Sequence, residues 1–316
     1  MTNRMKAVVI NDYGDREQLT ETEMPIPKID DHQLLVKVVS IGVNPIDWKT
    51  RQGLRKARYP FKFPIILGQE MAGIVSKVGK SVTGFKVGDA VIGYGTPSNR
   101  GTYAEFYAID ADQAAHKPIT VSFQEAAGLG LAGTTAWQAL FDAGRLKVGE
   151  TVLVLAGSGG VGSMAIQLAK QIGAHVITTT SATNDNYVRH LGADKVIDYK
   201  TQDFAKVSPE VDLVFDTLGG RNQLDAFKVV KPGGRIISIV ETTDQADELS
   251  QKYGVSFKKI NAHPDKDVIT TLTNKLGAGK LKVPIATQLK FNAENVREMH
   301  KLSETGHIVG KLILNV

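Results

Sequence analysis

The sequence predicts an α/β chain in two parts: a β-rich, barrel-like part and then a six-stranded, doubly wound parallel sheet. Three observations predict it. Short strand patterns broken by Gly, Pro and Asp turns fill residues 1–122. From Phe123 onward strand and helix patterns alternate, which implies parallel strands joined by crossover helices. Between Thr151 and Gly173 a buried strand, a glycine turn and a helix follow one another, with Gly157, Gly159 and Gly162 in G-x-G-x-x-G register.

In the first part the strand patterns fall at 6–10, 33–41, 73–78, 90–93 and 103–109. In the second they fall at 151–156, 175–180, 195–198, 213–216, 235–240 and 256–261, six in all. Helical spacing appears at 184–191, 223–230, 246–253, 265–276 and 293–305, each with a Gly or Pro close to its end or a polar cap at its start. A last strand, 311–316, has no partner nearby in sequence, so it is expected to return to the sheet of the first part.

The glycine turn carries the chemistry. Val152, Leu153, Val154 and Leu155 make an apolar run short enough for a fully buried parallel strand. After the turn Val161, Met164, Ala165, Leu168, Ala169 and Ile172 recur at helical spacing, and Gly173 supplies the stop. The first glycine permits the tight turn, the second lets backbone approach a pyrophosphate, and the third lets helix pack on strand. A helix beginning near Gly160 aims its free amides at the turn, where Ser158, Gly160 and Val161 would face an anionic phosphate. A glycine-rich connector is the alternative, and the agreement of strand, turn and helix disfavours it.

Composition sets the limits. The chain has 316 residues, 42% of them hydrophobic, enough to fill more than one core. It has no cysteine, which excludes disulfides, thiolate metal sites, a catalytic thiol and covalent haem attachment. The formal charge is +5, with basic and acidic residues interspersed. The densest basic cluster, Arg51, Arg55, Lys56 and Arg58, reads as a solvated loop or one near an anionic cofactor before it reads as a nucleic-acid surface. Residues 1–10 lack the apolar core of a signal peptide, and no apolar run is long enough for a bilayer. The expectation is a cytoplasmic protein without membrane or nucleic-acid partners.

Several short motifs, in order and spacing, resemble the medium-chain dehydrogenase/reductase superfamily in its zinc-independent, quinone-oxidoreductase-like branch. They are Met5-Lys6-Ala7, Gly42-Val43-Asn44-Pro45-Ile46-Asp47, Gly68-Gln69-Glu70-Met71-Ala72-Gly73, Val87-Gly88-Asp89-Ala90-Val91, the run from Ala156 to Gly162, and Gly310-Lys311-Leu312. The resemblance implies a GroES-like substrate and catalytic domain over 1–122, a Rossmann NADP-binding domain over 123–282, and a return to the catalytic domain over 283–316. It also implies a substrate cleft at the domain junction and a homodimer. Where zinc-holding members of the superfamily carry their ligands, this chain has Asn44, Gln69 and Leu131, and leucine cannot ligate zinc. Without a Lewis acid, reduction of an electron-poor acceptor, a quinone or an α,β-unsaturated carbonyl, is the chemistry that remains.

The end of the second strand of the sheet decides the cofactor. An NAD enzyme usually places Asp or Glu there against the ribose diol. This chain has Thr178-Thr179-Thr180-Ser181 followed by Asn184, so no carboxylate repels a 2′-phosphate and NADPH is the expected cofactor. Ser181 and Asn184 have a second reading as helix caps. Arg189 is near in sequence but lies on the following helix.

By resemblance Tyr199 lies against the adenosine phosphate, Thr134 opens a helix near the nicotinamide, and Leu218 and Ile239 line the carboxyl edge of the sheet. Lys311 joins the cofactor contacts. A plain N-cap for Thr134 and core packing for Leu218 and Ile239 stay open. Asn44 has two roles open, to the cofactor ribose or to the substrate carbonyl. Lys49 and Tyr59 are the candidate proton donors, with solvent as the alternative. An enal or enone reductase is the rival enzyme, and a non-enzymatic NADPH-binding sensor or RNA-binding protein is the rival outside catalysis.

Overall fold

The computed structural model describes residues 4–316; Met1 to Asn3, the start of the segment inspected for a leader, lie outside it. The chain divides into two compact units, one running to Leu131 and resuming at Pro264, the other spanning Ala132–His263. Among the described residues no helix is long and apolar enough to cross a membrane.

The first unit opens with β1 (Arg4–Ile10), β2 (Thr20–Pro25), β3 (Gln33–Val43), β4 (Ile65–Ile66), β5 (Glu70–Val78), β6 (Ala90–Tyr94), β7 (Phe106–Asp110) and β8 (Ala114–His116). Strand β1 pairs with β2 and β4 in a small antiparallel sheet. The hub of the larger sheet is β3, which pairs antiparallel with both β5 and β7. Such a central strand is buried on both faces, which is why its sequence, Gln33-Leu-Leu-Val-Lys-Val-Val-Ser-Ile-Gly-Val43, is nearly all apolar. Leu34, Val36, Val38 and Ile41 meet Val8, Ile10, Met71, Val75, Val91 and Tyr103 in one core. Burial of each aliphatic side chain contributes about 1.5–3 kcal/mol.

Strand β5 starts at Glu70, three residues earlier than the sequence pattern suggests, and this sets Glu70 opposite Gly42. A Cβ on Gly42 would overlap the Glu70 carboxylate and the Ala127 carbonyl oxygen, so the close approach of β3 to a buried acid requires glycine here.

The second unit is one parallel sheet of β9 (Thr151–Val154), β10 (His175–Thr180), β11 (Lys195–Asp198), β12 (Val211–Asp216), β13 (Val230–Ser238) and β14 (Ser256–Lys259), in the order β11-β10-β9-β12-β13-β14. The order reverses direction at β9, and ligands of open α/β sheets sit outside the carboxyl ends at such a switch point. Strand β13 begins at Val230, which pairs with Val211 across a bulge. The helix expected at 223–230 is therefore Gly220–Ala226, with 227–229 a turn and Val230 already in the strand.

The remaining segment returns to the first unit with β15 (Ile285–Lys290) and β16 (Lys311–Asn315). Strand β16 pairs antiparallel with β3 and parallel with β15, a strand the sequence pattern did not suggest. Residues 123–131 and 264–282, assigned from sequence to the dinucleotide domain, pack with the first unit instead. The reason is local: the Leu131 N–H donates to Glu70 Oε2 at 2.7 Å. At the other end, Thr120 Oγ1 donates to the Gly277 carbonyl at 3.2 Å, bringing the helix Lys266–Gly277 onto β8.

Candidate functional site

The glycine turn follows β9. Ala156 stands in the left-handed region at φ 56, which costs a residue with a Cβ about 1–2 kcal/mol. Its N–H donates to Thr179 Oγ1 at 3.0 Å and its carbonyl accepts the Gly159 N–H at 3.1 Å. A Cβ on Gly157 would overlap the Thr178 hydroxyl, and one on Gly162 would overlap the Ala156 carbonyl oxygen. On Gly159 it would meet nothing nearer than that carbonyl oxygen at 3.5 Å. Two glycines therefore serve packing, and the third keeps an open cradle.

The helix Gly160–Gln171 begins at this cradle. Ser163 is the first residue whose N–H reaches back, to the Gly159 carbonyl at 2.9 Å. The amides of Gly160, Val161 and Gly162 thus have no intrahelical acceptor. Thr180 Oγ1 donates to Ser158 Oγ at 3.0 Å and pins the turn to β10. The arrangement suits an anionic diphosphate.

At the end of β10, Thr180 is in register with Asp198 of β11, so Ser181 and Tyr199 leave the sheet side by side. Asn184 Nδ2 donates to Ser181 Oγ at 3.2 Å. Neither Ser181 nor Asn184 makes a side-chain cap bond, so the capping alternative is not realised. Arg189 is held on its own helix, donating to Asp185 at 2.7 Å and to the Asp194 carbonyl at 3.3 Å. The Tyr199 side chain is 50% exposed.

Thr134 does not open its helix. The helix starts at Gly130, where a Cβ would crowd the Tyr94 side chain, and Thr134 lies within it. Its hydroxyl is buried and has no hydrogen-bond partner among the described residues. An orphan hydroxyl and an open glycine cradle in one unit fit a bound dinucleotide. Leu218 is 48% exposed at the carboxyl edge, and the Ile239 N–H donates to the Asp216 carbonyl at 3.1 Å. Sequence reasoning missed Asp216. Its buried carboxylate accepts from Ser238 Oγ (2.8 Å), Gln223 Nε2 (2.9 Å) and the N–H groups of Leu218 and Gly219 (2.9 and 2.8 Å), shaping the loops after β12 and β13.

The first unit holds a second constellation, wholly buried. Lys311 Nζ donates to Glu70 Oε1 at 2.6 Å and to Asn44 Oδ1 at 2.5 Å, and Asn44 Nδ2 donates to Glu70 Oε1 at 2.8 Å. With the Leu131 N–H on Oε2, the Glu70 carboxylate has three donors. Asn44 and Lys311, named from sequence, are brought together, and Glu70 between them was missed. Gln69 is also buried, and its carbonyl accepts the Gly95 N–H at 2.8 Å.

Beside it runs a hydrogen-bonded string. Arg51 Nη2 donates to Glu304 at 2.8 Å and Nη1 to His300 Nδ1 at 3.1 Å. A guanidinium only donates, so His300 Nε2 carries the proton and donates to the Tyr103 oxygen at 3.1 Å. The Tyr103 hydroxyl then donates to Asp47 Oδ2 at 2.9 Å, which also accepts the Asn44 N–H at 2.9 Å. Burial lowers the His300 pKa to about 3 and raises that of Asp47 to about 7, the latter against the bonds from Asn44 and Tyr103.

The two candidate proton donors lie on the next segment. Lys49 Nζ sits 5.6 Å from the Trp48 ring centre. The Tyr59 ring carries the Arg55 guanidinium at 4.6 Å and that of Arg58 at 5.5 Å.

Residues 30–119 match the alcohol dehydrogenase GroES-like domain and residues 191–314 the zinc-binding dehydrogenase family. The chain is 35% identical to the 2-methylene-furan-3-one reductase of Solanum lycopersicum, covering 99% of this chain and 79% of that protein. The chain belongs to the medium-chain dehydrogenase/reductase superfamily, in its quinone-oxidoreductase-like branch. Within this superfamily it is also 34% identical to the NADPH-dependent alkenal/one oxidoreductase of Arabidopsis thaliana chloroplasts, covering 98% of this chain and 79% of the relative. The quinone oxidoreductase of Coxiella burnetii superposes with a TM-score of 0.91 at 33% identity, over 99% of both chains. The first unit is accordingly the superfamily's GroES-like domain and the second its Rossmann domain, and the chain is an oxidoreductase.

Proposed function

We propose that this chain is an NADPH-dependent reductase that passes hydride to a quinone or a similar conjugated carbonyl compound. The observation that carries the reading is the end of β10, where Ser181 and Asn184 present a hydroxyl and an amide, while the Asp185 carboxylate is bound by Arg189 and that of Asp198, on the neighbouring strand, accepts from the Lys200 N–H and the Thr201 hydroxyl. A 2′-phosphate meets donors there, on a segment, Thr178 to Asn184, that carries no carboxylate of its own. When bound, reduced nicotinamide supplies the hydride.

The chain's residues then have separable tasks. Gly157, Gly159 and Gly162 leave room for the diphosphate, with Ser158, Gly160 and Val161 around it. Ser181, Asn184 and Tyr199 receive the 2′-phosphate. The orphan Thr134 hydroxyl supplies a polar contact, and Leu218 and Ile239 supply apolar ones. Charge that develops on the acceptor oxygen is spread over its conjugated system, so hydrogen bonds suffice to stabilise it. Lys49 or Tyr59 delivers the proton, or solvent does. The proposal includes a cytoplasmic homodimer formed along the exposed edge of β14.

A second reading, an enal or enone reductase, is favoured by the likeness to the furanone reductase of Solanum lycopersicum and the alkenal/one oxidoreductase of Arabidopsis thaliana. NADPH oxidation followed against a quinone panel and an enone panel, with NADH as control, tests both. Turnover of quinones supports the first reading and turnover of enones alone the second. A tenfold preference for NADH, about 1.4 kcal/mol, overturns the phosphate site.

A further inference from the structure

Strand β12 ends in Asp216, and the two oxygens of its buried carboxylate divide their partners between two loops. Oδ1 accepts the N–H groups of Leu218 and Gly219 at 2.9 and 2.8 Å, which folds the loop after β12 back over its own strand end. Oδ2 accepts from Gln223 Nε2 at 2.9 Å and Ser238 Oγ at 2.8 Å, which ties in the helix Gly220–Ala226 and the end of β13. The buried Gln223 amide carries the network on: its nitrogen reaches the Glu241 carbonyl at 3.3 Å and its oxygen accepts the Thr243 N–H at 2.7 Å. A carboxylate only accepts and a backbone N–H only donates, so the amide is held one way round. Gly219, at φ 73, lets Val240 close over it, since a Cβ there would stand 2.9 Å from Val240 Cγ2. The loops after β12 and β13 are thus held as one piece, inside the second unit alone.

We propose that Asp216 and Gln223 are positioning residues that set the affinity for the nicotinamide half of the cofactor and leave that for the adenosine half unchanged. The inference rests on the reading of the chain as a binder of NADPH, and it deepens that reading. On that reading the adenosine phosphate lies at the ends of β10 and β11 and the diphosphate at the turn after β9. The other half then extends along the carboxyl edge towards β12 and β13, the strands on the opposite side of β9. Leu218, 48% exposed, and Ile239, half-buried, stand on that edge. The Leu218 N–H is held by Asp216 Oδ1 and the Ile239 N–H by the Asp216 carbonyl. Asp216 and Gln223 are themselves at 0% exposure, so they act through the loops and not by touching the cofactor. Loops fixed before binding spare the cofactor the cost of ordering them.

The test is calorimetric titration with NADPH and with 2′,5′-ADP, which carries the adenosine and its 2′-phosphate but no nicotinamide. Asp216→Asn should bind NADPH at least about tenfold more weakly than the wild-type protein, with an affinity for 2′,5′-ADP that stays within about twofold. Gln223→Met keeps the length of the side chain and cuts the ties to Asp216 and Thr243. It should show the same split, in samples whose thermal melting shows them folded. A merely structural role lowers both affinities together, so equal losses, or no loss, overturn the inference. Wild-type protein that binds 2′,5′-ADP as tightly as NADPH overturns it too. Backbone amide exchange in the wild-type protein without cofactor is an arm that needs no variant. The N–H groups of Leu218, Gly219 and Thr243 should exchange slowly before any ligand is added, and exchange at the rate of an unstructured chain overturns the inference. If the wild-type protein binds neither compound, the proposed function itself falls, an outcome distinct from binding both without the split.

Discussion

Lys311 Nζ donates to Asn44 Oδ1 at 2.5 Å although 267 positions separate the two residues in sequence. The pairing of β16 with β3, Leu312 opposite Val43, makes the meeting possible by setting the two residues next to each other beyond paired positions. Glu70 closes the group from β5, opposite Gly42. Removing one partner of a buried pair strands the other charge, which costs about 3–5 kcal/mol. Glu70→Gln is therefore expected to lower unfolding free energy by that amount in denaturant titration. Glu70→Gln combined with Lys311→Met should recover most of it. A loss below about 1 kcal/mol for the single variant would mean the pair behaves as a solvated surface one.

The three glycines of the turn are not equivalent. Gly162→Ala drives a methyl into the Ala156 carbonyl oxygen, so it should lower Tm as well as NADPH affinity. Gly159→Ala finds its nearest neighbour at 3.5 Å. Tm should stay near the wild-type value while NADPH affinity falls about tenfold or more, or ~1.4 kcal/mol. Calorimetric titration beside thermal melting separates the two, and equal Tm losses would show that the cradle is structural only.

Ser181→Asp places a carboxylate beside Asn184 and Tyr199. The ratio of kcat/KM for NADPH to that for NADH should fall at least about tenfold, or 1.4 kcal/mol, since a 2′-phosphate is repelled and a ribose diol is accepted. An unchanged ratio would move the phosphate site elsewhere.

Asp47 and His300 give opposite pH dependences. The Asp47 pKa is raised from the usual 3.8 to about 7, so the native state holds a proton that the unfolded chain releases. Its contribution to stability is full below pH 3.8 and is lost as pH climbs through 7. The His300 pKa is lowered from 6.5 to about 3. The unfolded chain binds that proton first, and stability falls as pH drops below 6.5. Between roughly pH 4 and 6.5 the two slopes oppose each other. In Asp47→Asn only the His300 slope remains, so unfolding free energy should rise with pH across that interval more steeply than in the wild-type protein. Parallel curves for the two proteins would show that Asp47 titrates as an ordinary exposed acid.

Much of the second unit is legible in its sequence, because continuous apolar runs bounded by turns mark buried parallel strands; β10 and β11 begin and end where the pattern does. The glycine turn is legible for the same reason. Two-residue β4 is too short to leave a pattern, and β15 alternates with too much polar content to suggest a strand beside β16. Glu70 and Lys311 are charged side chains that a local pattern assigns to solvent, and only the pairing of β16 with β3 buries them together. The place of Thr134 within its helix was hidden because Gly130 and Gly133 are poor helix formers and a threonine after them suits a helix start. The Asp47, Tyr103, His300 and Arg51 string joins three distant segments, and no spacing rule foretells it.

The return of β16 to β3 also dictates an order of events at the ribosome. Asn44 and Glu70 emerge early, and the whole of Ala132–His263 is translated before Lys311 appears. Until then a carboxylate in the nascent first unit waits without its ammonium partner. The parallel sheet, contiguous in the chain, has all its strands available sooner, so the unit that is begun first is the one that is finished last.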